Sequence, residues 1–305
     1  MSMAIAKNTW VKAAFAAIAL VLLLLLIVLA ARWFRGTDAG QDFLAAYPGK
    51  GALPSWAPVG IPAWLSWQHF LNAFLLVFVV RSGLLIRNTP RPAAYWTRRN
   101  KGLFKTKNPA VRISINQWFH LAVDSLWVLN GLIFYVLLMV TGQWVRIVPT
   151  NWDVFPNALS AALQYASLQW PTESGWANYN GLQLLTYFAT VFIAAPLALL
   201  TGLRMAPGLA KRFKSVEKIF PIAWARKLHL PVMIYFLVFV VVHVTLVLAT
   251  GALRNLNTMY AGRDDESWIG FWIFAGSVVL MVGAWFAARP LLFRSVAGLN
   301  GSVTR

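Results

Sequence analysis

Apolar residues along the chain gather into six blocks, roughly residues 11–32, 64–87, 117–141, 181–203, 230–250 and 268–290, separated by short polar connections. At about 1.5 Å of rise per residue, each block is long enough to cross a hydrocarbon core of about 30 Å. The pattern predicts an all-α integral membrane protein with six transmembrane helices. Lys7 and Lys12 precede the first block, and Ala30-Ala31 end it as a signal peptide would end. Its uncharged run, residues 13–31, is longer than an ordinary signal core, so it is read as a retained span. Between the third and fourth spans, Phe155, Leu159, Leu163, Ala166 and Trp170 recur at near-helical spacing with Pro156 placed to start a turn. That spacing predicts a helix lying on the membrane surface. With no internal repeat and no low-complexity linker, residues 1–305 read as a single membrane domain.

Composition agrees with this pattern, at 59% apolar and 12% charged residues. The net charge of +18 would by itself raise the question of a nucleic-acid partner, but the basic residues sit in loops. Residues 81–112 carry nine (Arg81, Arg87, Arg91, Arg98, Arg99, Lys101, Lys105, Lys107 and Arg112) and no acidic residue. Residues 204–228 carry seven against one acidic, Glu217. Counting the termini, 21 of the 27 basic residues fall on one face. The positive-inside rule then predicts that both termini are cytoplasmic. Attraction to anionic lipid accounts for the rest of the charge, and no nucleic acid is called for. Trp64, Trp67, Trp118, Trp144 and Trp152 read as an interfacial aromatic belt.

The chain has no cysteine, which excludes disulfides, iron-sulfur clusters held by thiolates and covalent c-type haem. It has four histidines, His69, His120, His229 and His243, each within or at the end of an apolar span. An isolated histidine there is read as a hydrogen-bonded packing residue or as a functional site. The set favours function. His229 and His243, 14 residues apart on the fifth span, return to within about 40° of one helix face and lie about 21 Å apart along the axis. The charge-derived topology places His69 near the outer surface with His243, and His120 near the inner surface with His229. Two imidazoles from facing helices suit a six-coordinate b-type haem, which works mainly by electron transfer. Zinc at either pair would be two ligands short. Gly83, 14 residues after His69, and Gly131, 11 after His120, fall on the matching faces at the other depth. A flat macrocycle fits beside them, as does simple helix packing.

The run Trp67-Gln68-His69-Phe70-Leu71-Asn72-Ala73 leads to Arg81-Ser82-Gly83. With His120 at the head of the next span and Arg226-Lys227-Leu228-His229 followed by His243, it resembles the bacterial di-haem cytochrome b-561 family. The related cytochrome b subunits of formate dehydrogenase and nickel-iron hydrogenase share these features. The resemblance covers residues 64–250 and implies a four-helix core in which one helix supplies two axial histidines and two others supply one each. Residues 11–32 and 268–290 would be helices added to that core. It also implies two b-type haems, a quinone as redox substrate and a periplasmic redox enzyme as partner.

Asp124 is the one acidic residue within a span, four residues after His120 and so on the same helix face. It is the candidate proton relay for a quinone at the inner haem, against the reading of a protonated packing residue. Arg81, Arg112, Arg226 and Lys227 are inner candidates for haem propionates, and Arg146 is the outer one. No dinucleotide or phosphate-binding motif appears, so the chain reads as an electron-carrying subunit; the resemblance implies that it links the quinone pool to a docked periplasmic molybdenum enzyme or hydrogenase in a bacterial inner membrane. A stand-alone quinol-oxidising cytochrome and a non-redox transporter or anchor are the alternatives.

Overall fold

The computed structural model describes residues 2–101, 105, 107, 109–170, 175–208 and 216–305, with side chains from residue 9 onward. Lys211, Arg212, Lys214, Glu173 and the side chain of Lys7, all part of the charge count, lie outside the described residues. In chain order the helices are α1 (Ser2–Arg35), α2 (Asp38–Ala46), α3 (Ala63–Asn88), α4 (Ile115–Val140), α5 (Val154–Ala166), α6 (Gly181–Phe188), α7 (Ala195–Met205), α8 (Val216–Ile219), α9 (Ile222–Ala249), α10 (Ala252–Leu256), α11 (Ile269–Ala287) and α12 (Pro290–Asn300). One π-helical segment, Ala189–Ala194, joins α6 to α7, and another, Asn257–Ala261, follows α10. Strands β1 (Tyr95–Arg98), β2 (Arg112–Ser114) and β3 (Gly301–Thr304) form an antiparallel sheet in the order β2-β1-β3.

Among the described residues, six helical segments are long and apolar enough to cross a membrane: Thr9–Arg35, Ala63–Asn88, Ile115–Val140, Gly181–Met205, Ile222–Ala249 and Ile269–Ala287. They coincide with the six apolar blocks. The largest difference is at the fifth, where the helix begins at Ile222 rather than near residue 230. Polar side chains such as Arg226 and Lys227 do not stop a helix, because they extend into solvent while the backbone bonds continue. His229 therefore lies two turns inside α9.

The chain divides into two compact units. One comprises Met1–Ala57 and Val145–Phe188. Here Arg32 Nε donates to the Ser167 carbonyl at 3.0 Å, and Arg35 to the Ser167 hydroxyl at 2.5 Å. Arg146 is 1% exposed, donates to the carbonyls of Gly175 at 2.5 Å and Trp176 at 3.2 Å, and lies over the Tyr179 ring. Burial pushes the Tyr179 phenol above its ordinary value, with Arg146 opposing the shift. The predicted surface helix is α5, with Phe155 and Leu159 exposed and Ala158 and Ala161 buried. Gly181 is required where α6 meets α5, since a Cβ there would come within 2.6 Å of the Ala158 backbone.

The other unit comprises Pro58–Trp144 and Ala189–Arg305. In it α3 packs on α4, α7 on α9, and α11 on both α3 and the second π segment. At the end carrying the basic residues, the sheet and α12 close over the helices. Tyr95, Trp96 and Thr97 supply the aromatic and β-branched residues that suit a strand, and Trp96 Nε1 donates to the Ala297 carbonyl at 3.0 Å. Phe119 stacks on Phe293 at 4.5 Å, in a core that includes Ile113, Ile115, Trp118 and Ala297. The aromatic-belt expectation is corrected here: Trp67 and Trp152 are exposed, but Trp118 is 7% exposed and packs against Trp96. The apolar ring is satisfied by the sheet, which loop composition did not reveal.

Candidate functional site

All four histidines lie in the second unit, and the helices bring them together in twos. On α4, Ser114 forms a capping box with Gln117, each side chain bonding the other's backbone N–H at 3.1 Å. This fixes the start of the helix and sets His120 in its second turn. His120 faces His229 of α9 with ring centroids 6.3 Å apart and planes at 87°. At the far end of α9, His243 faces His69 of α3 at 6.2 Å and 56°.

The surroundings of the two pairs differ. At the basic end Ser82 Oγ lies 2.7 Å from His120 Nδ1, and Thr201 Oγ1 lies 2.8 Å from His229 Nδ1. Both hydroxyl residues are fully buried. At the far end Phe239, one turn before His243, stacks on its ring at 5.5 Å and 8°, and Tyr235 continues the stack at 6.4 Å and 14°. Tyr260 meets His69 edge-on at 5.7 Å. Burial pushes the Tyr260 phenol above its ordinary value, so it stays neutral. Among the described residues, His69 Nδ1 is buried without a hydrogen-bond partner.

Tyr260 is held there by a buried asparagine. Asn257 Nδ2 donates to Asp265 Oδ1 at 2.8 Å and to the Ser267 carbonyl at 2.6 Å, while its Oδ1 accepts from the Gly270 N–H at 2.6 Å. The loop returns through Gly262 at φ +61°, a left-handed conformation that favours glycine.

Gly83 lies against His120, where a Cβ would sit 3.9 Å from Cε1. Gly202, which sequence reasoning missed, stands in the same relation to His229 at 3.7 Å. A Cβ on Gly131 would touch nothing within 4 Å. Ser82 and Thr201 were also missed. The signal was present, since Ser82-Gly83-Leu84 and Thr201-Gly202-Leu203 repeat a hydroxyl, a glycine and a leucine near the same ends of two spans.

Asp124 Oδ2 lies 3.5 Å from His120 Nε2, with its side chain 30% exposed. Of the basic candidates, Arg81 lies over Trp285, and Arg112 lies over Tyr95 and donates to the Arg305 carbonyl at 3.3 Å. Arg226 and Lys227 are exposed, within one turn of His229.

A family model for prokaryotic cytochrome b561 matches residues 60–262, a stretch holding all four histidines. The chain belongs to the prokaryotic cytochrome b561 family. It is thus a multi-pass bacterial membrane cytochrome of the b type, which takes part in electron transfer. Searches of curated proteins and of solved structures found no match.

The residues of this cytochrome fit the haem its family binds. Two imidazoles sharing one metal at about 2 Å per nitrogen have ring centroids about 6 Å apart, as both pairs do here. The donors are nitrogens alone, and glycine backbone lies beside both imidazoles of the basic-end pair. Among the described residues no three His, Cys, Asp or Glu side chains cluster to hold an ion, which leaves zinc short of ligands.

Proposed function

We propose that this cytochrome b561 carries electrons across the bacterial inner membrane between the quinone pool and a redox enzyme docked at the periplasmic face. The partner class, a molybdenum enzyme or a hydrogenase, follows from the resemblance of residues 64–250 to the cytochrome subunits of those enzymes. One observation carries the reading: the two histidines of α9 each face an imidazole from another helix, His120 of α4 at one end and His69 of α3 at the other, at 6.3 and 6.2 Å. Residues 1–305 would form one membrane domain around that four-helix core, with residues 11–32 and 268–290 as additional spans. The 21-to-6 distribution of basic residues supports cytoplasmic termini, and hence an inner site at the basic end.

When bound, two b-type haems would supply reversible one-electron chemistry at the two depths. His120 and His229 would hold the inner one and His69 and His243 the outer one, about 21 Å apart along α9. Gly83 and Gly131 would leave room beside the macrocycles. Arg226 and Lys227, free to extend, suit the propionates better than Arg81 and Arg112, whose guanidinium groups already lie over aromatic rings.

A quinol gives up protons as well as electrons, and Asp124 is the group placed to accept them near the inner site. His120 would hold the iron through Nε2, which here lies 3.5 Å from Asp124 Oδ2. The Asp124 carboxylate, partly exposed, would then be available to a quinone head group and to water. A haemochrome assay on the purified chain tests the reading directly. Two haems per chain are expected; one or none would overturn it.

A further inference from the structure

The basic-end imidazoles are each tied by a hydroxyl from a neighbouring helix, and the two ties are built alike. Ser82 Oγ also bonds the Val79 carbonyl of its own helix at 2.9 Å. Thr201 Oγ1 bonds the Leu197 carbonyl at 2.7 Å and the Ala198 carbonyl at 3.0 Å. A hydroxyl has one proton, and a carbonyl can only accept. All of these bonds are made only if each hydroxyl's proton goes to carbonyl oxygen, shared between two at Thr201, and its oxygen accepts from the imidazole Nδ1–H. The network therefore selects the Nδ1–H tautomer at His120 and at His229, leaving each Nε2 with a free lone pair. The following glycine leaves open the Cβ position facing Cε1 of the same ring, 3.9 Å away at Gly83 and 3.7 Å at Gly202. Two unrelated packing accidents would not be expected to reproduce the same pair of contacts on two helices.

We propose that Ser82 and Thr201 are positioning residues that orient His120 and His229 as metal ligands and, by accepting hydrogen bonds from their Nδ1–H groups, raise the electron density at the iron that pair would hold. The inference rests on the haem assignment above. A hydrogen bond accepted from Nδ1–H makes Nε2 a stronger donor and would favour ferric over ferrous iron. Losing the hydroxyl should therefore raise the potential of that haem alone.

The test is a redox titration of the purified holoprotein, followed by visible spectra that resolve the two haems. In Ser82→Ala and in Thr201→Val, which keeps the volume, the ferrous-to-ferric ratio of one haem at a fixed potential should rise about five-fold, the equivalent of one ordinary hydrogen bond. The other haem should be unchanged and also reports that the chain is folded. Ser82→Thr and Thr201→Ser should restore the original ratio. Loss of one haem in the hydroxyl-free variants, with recovery in the conservative ones, equally supports the assignment. Two haems of unaltered potential in both hydroxyl-free variants would overturn it, as would equal losses in the conservative variants. If the unsubstituted chain lacks two bis-imidazole haems, the haem assignment itself fails and this inference with it.

Discussion

At the basic end of the second unit His120 and His229 each meet a buried hydroxyl through Nδ1, whereas at the far end His69 Nδ1 has no hydrogen-bond partner among the described residues and His243 lies under Phe239. The histidine separations are nearly equal, at 6.3 and 6.2 Å, so spacing alone does not distinguish the ends. What surrounds the rings does. A ring held by a directed hydrogen bond has its tautomer and rotation set by one neighbour, whereas a ring stacked on an aromatic neighbour has its plane set by that contact. The second arrangement surrounds its ring with apolar side chains. The first stands beside Asp124, the one carboxylate within a span.

The largest effect expected is the selective loss of one haem. His120→Ala should remove the basic-end haem and His243→Ala the far-end haem, each leaving about half the haemochrome signal. Loss of both in either variant, in a chain that still folds, would erase the distinction between the ends.

Topology sharpens the comparison next. A single cysteine introduced within residues 81–112, in a chain with none of its own, should resist impermeant thiol reagents in intact cells. Labelling from outside would turn the basic end outward and exchange the roles assigned to the two ends. Asp124→Asn should slow electron exchange with quinone about a hundred-fold, the lower range for losing a positioned acid or base, with both haem spectra intact. An unchanged rate would remove proton handling from the basic end.

The smallest effect belongs to the far-end loop that carries Tyr260. Arg254 donates to both carboxylate oxygens of Asp264, at 2.7 and 3.0 Å, and this hydrogen bonding holds the Asp264 carboxyl below the usual carboxylate range. A depressed carboxylate pKa contributes stability above the unfolded value and loses it as pH falls through the folded one. Asp264→Asn should therefore lower Tm slightly at neutral pH and not at all in acid beyond the carboxylate range. A larger drop, or one that persists in acid, would mean that the loop supports the far-end pair through something other than this exposed ion pair.

Much of this was legible before any coordinates. The six apolar blocks alone imply membrane helices, because a span must satisfy its backbone internally and present apolar side chains over about 20 residues. The 14-residue interval between His229 and His243 also places them on one face of one helix at two depths, since helical geometry is local.

Other features depended on contacts between segments distant in sequence. The sheet pairs β1 with β3, some 200 residues further along, and nothing local to 301–304 marks it as a strand partner. Trp118 passes for a belt residue until that sheet covers it. Ser82 lies 38 residues from His120 and Thr201 lies 28 from His229, so their bonds exist only once α3 meets α4 and α7 meets α9. Composition and periodicity report which face a side chain occupies on its own helix. Which atom it meets across the interface, and hence which nitrogen of a histidine keeps its proton, is decided by packing alone.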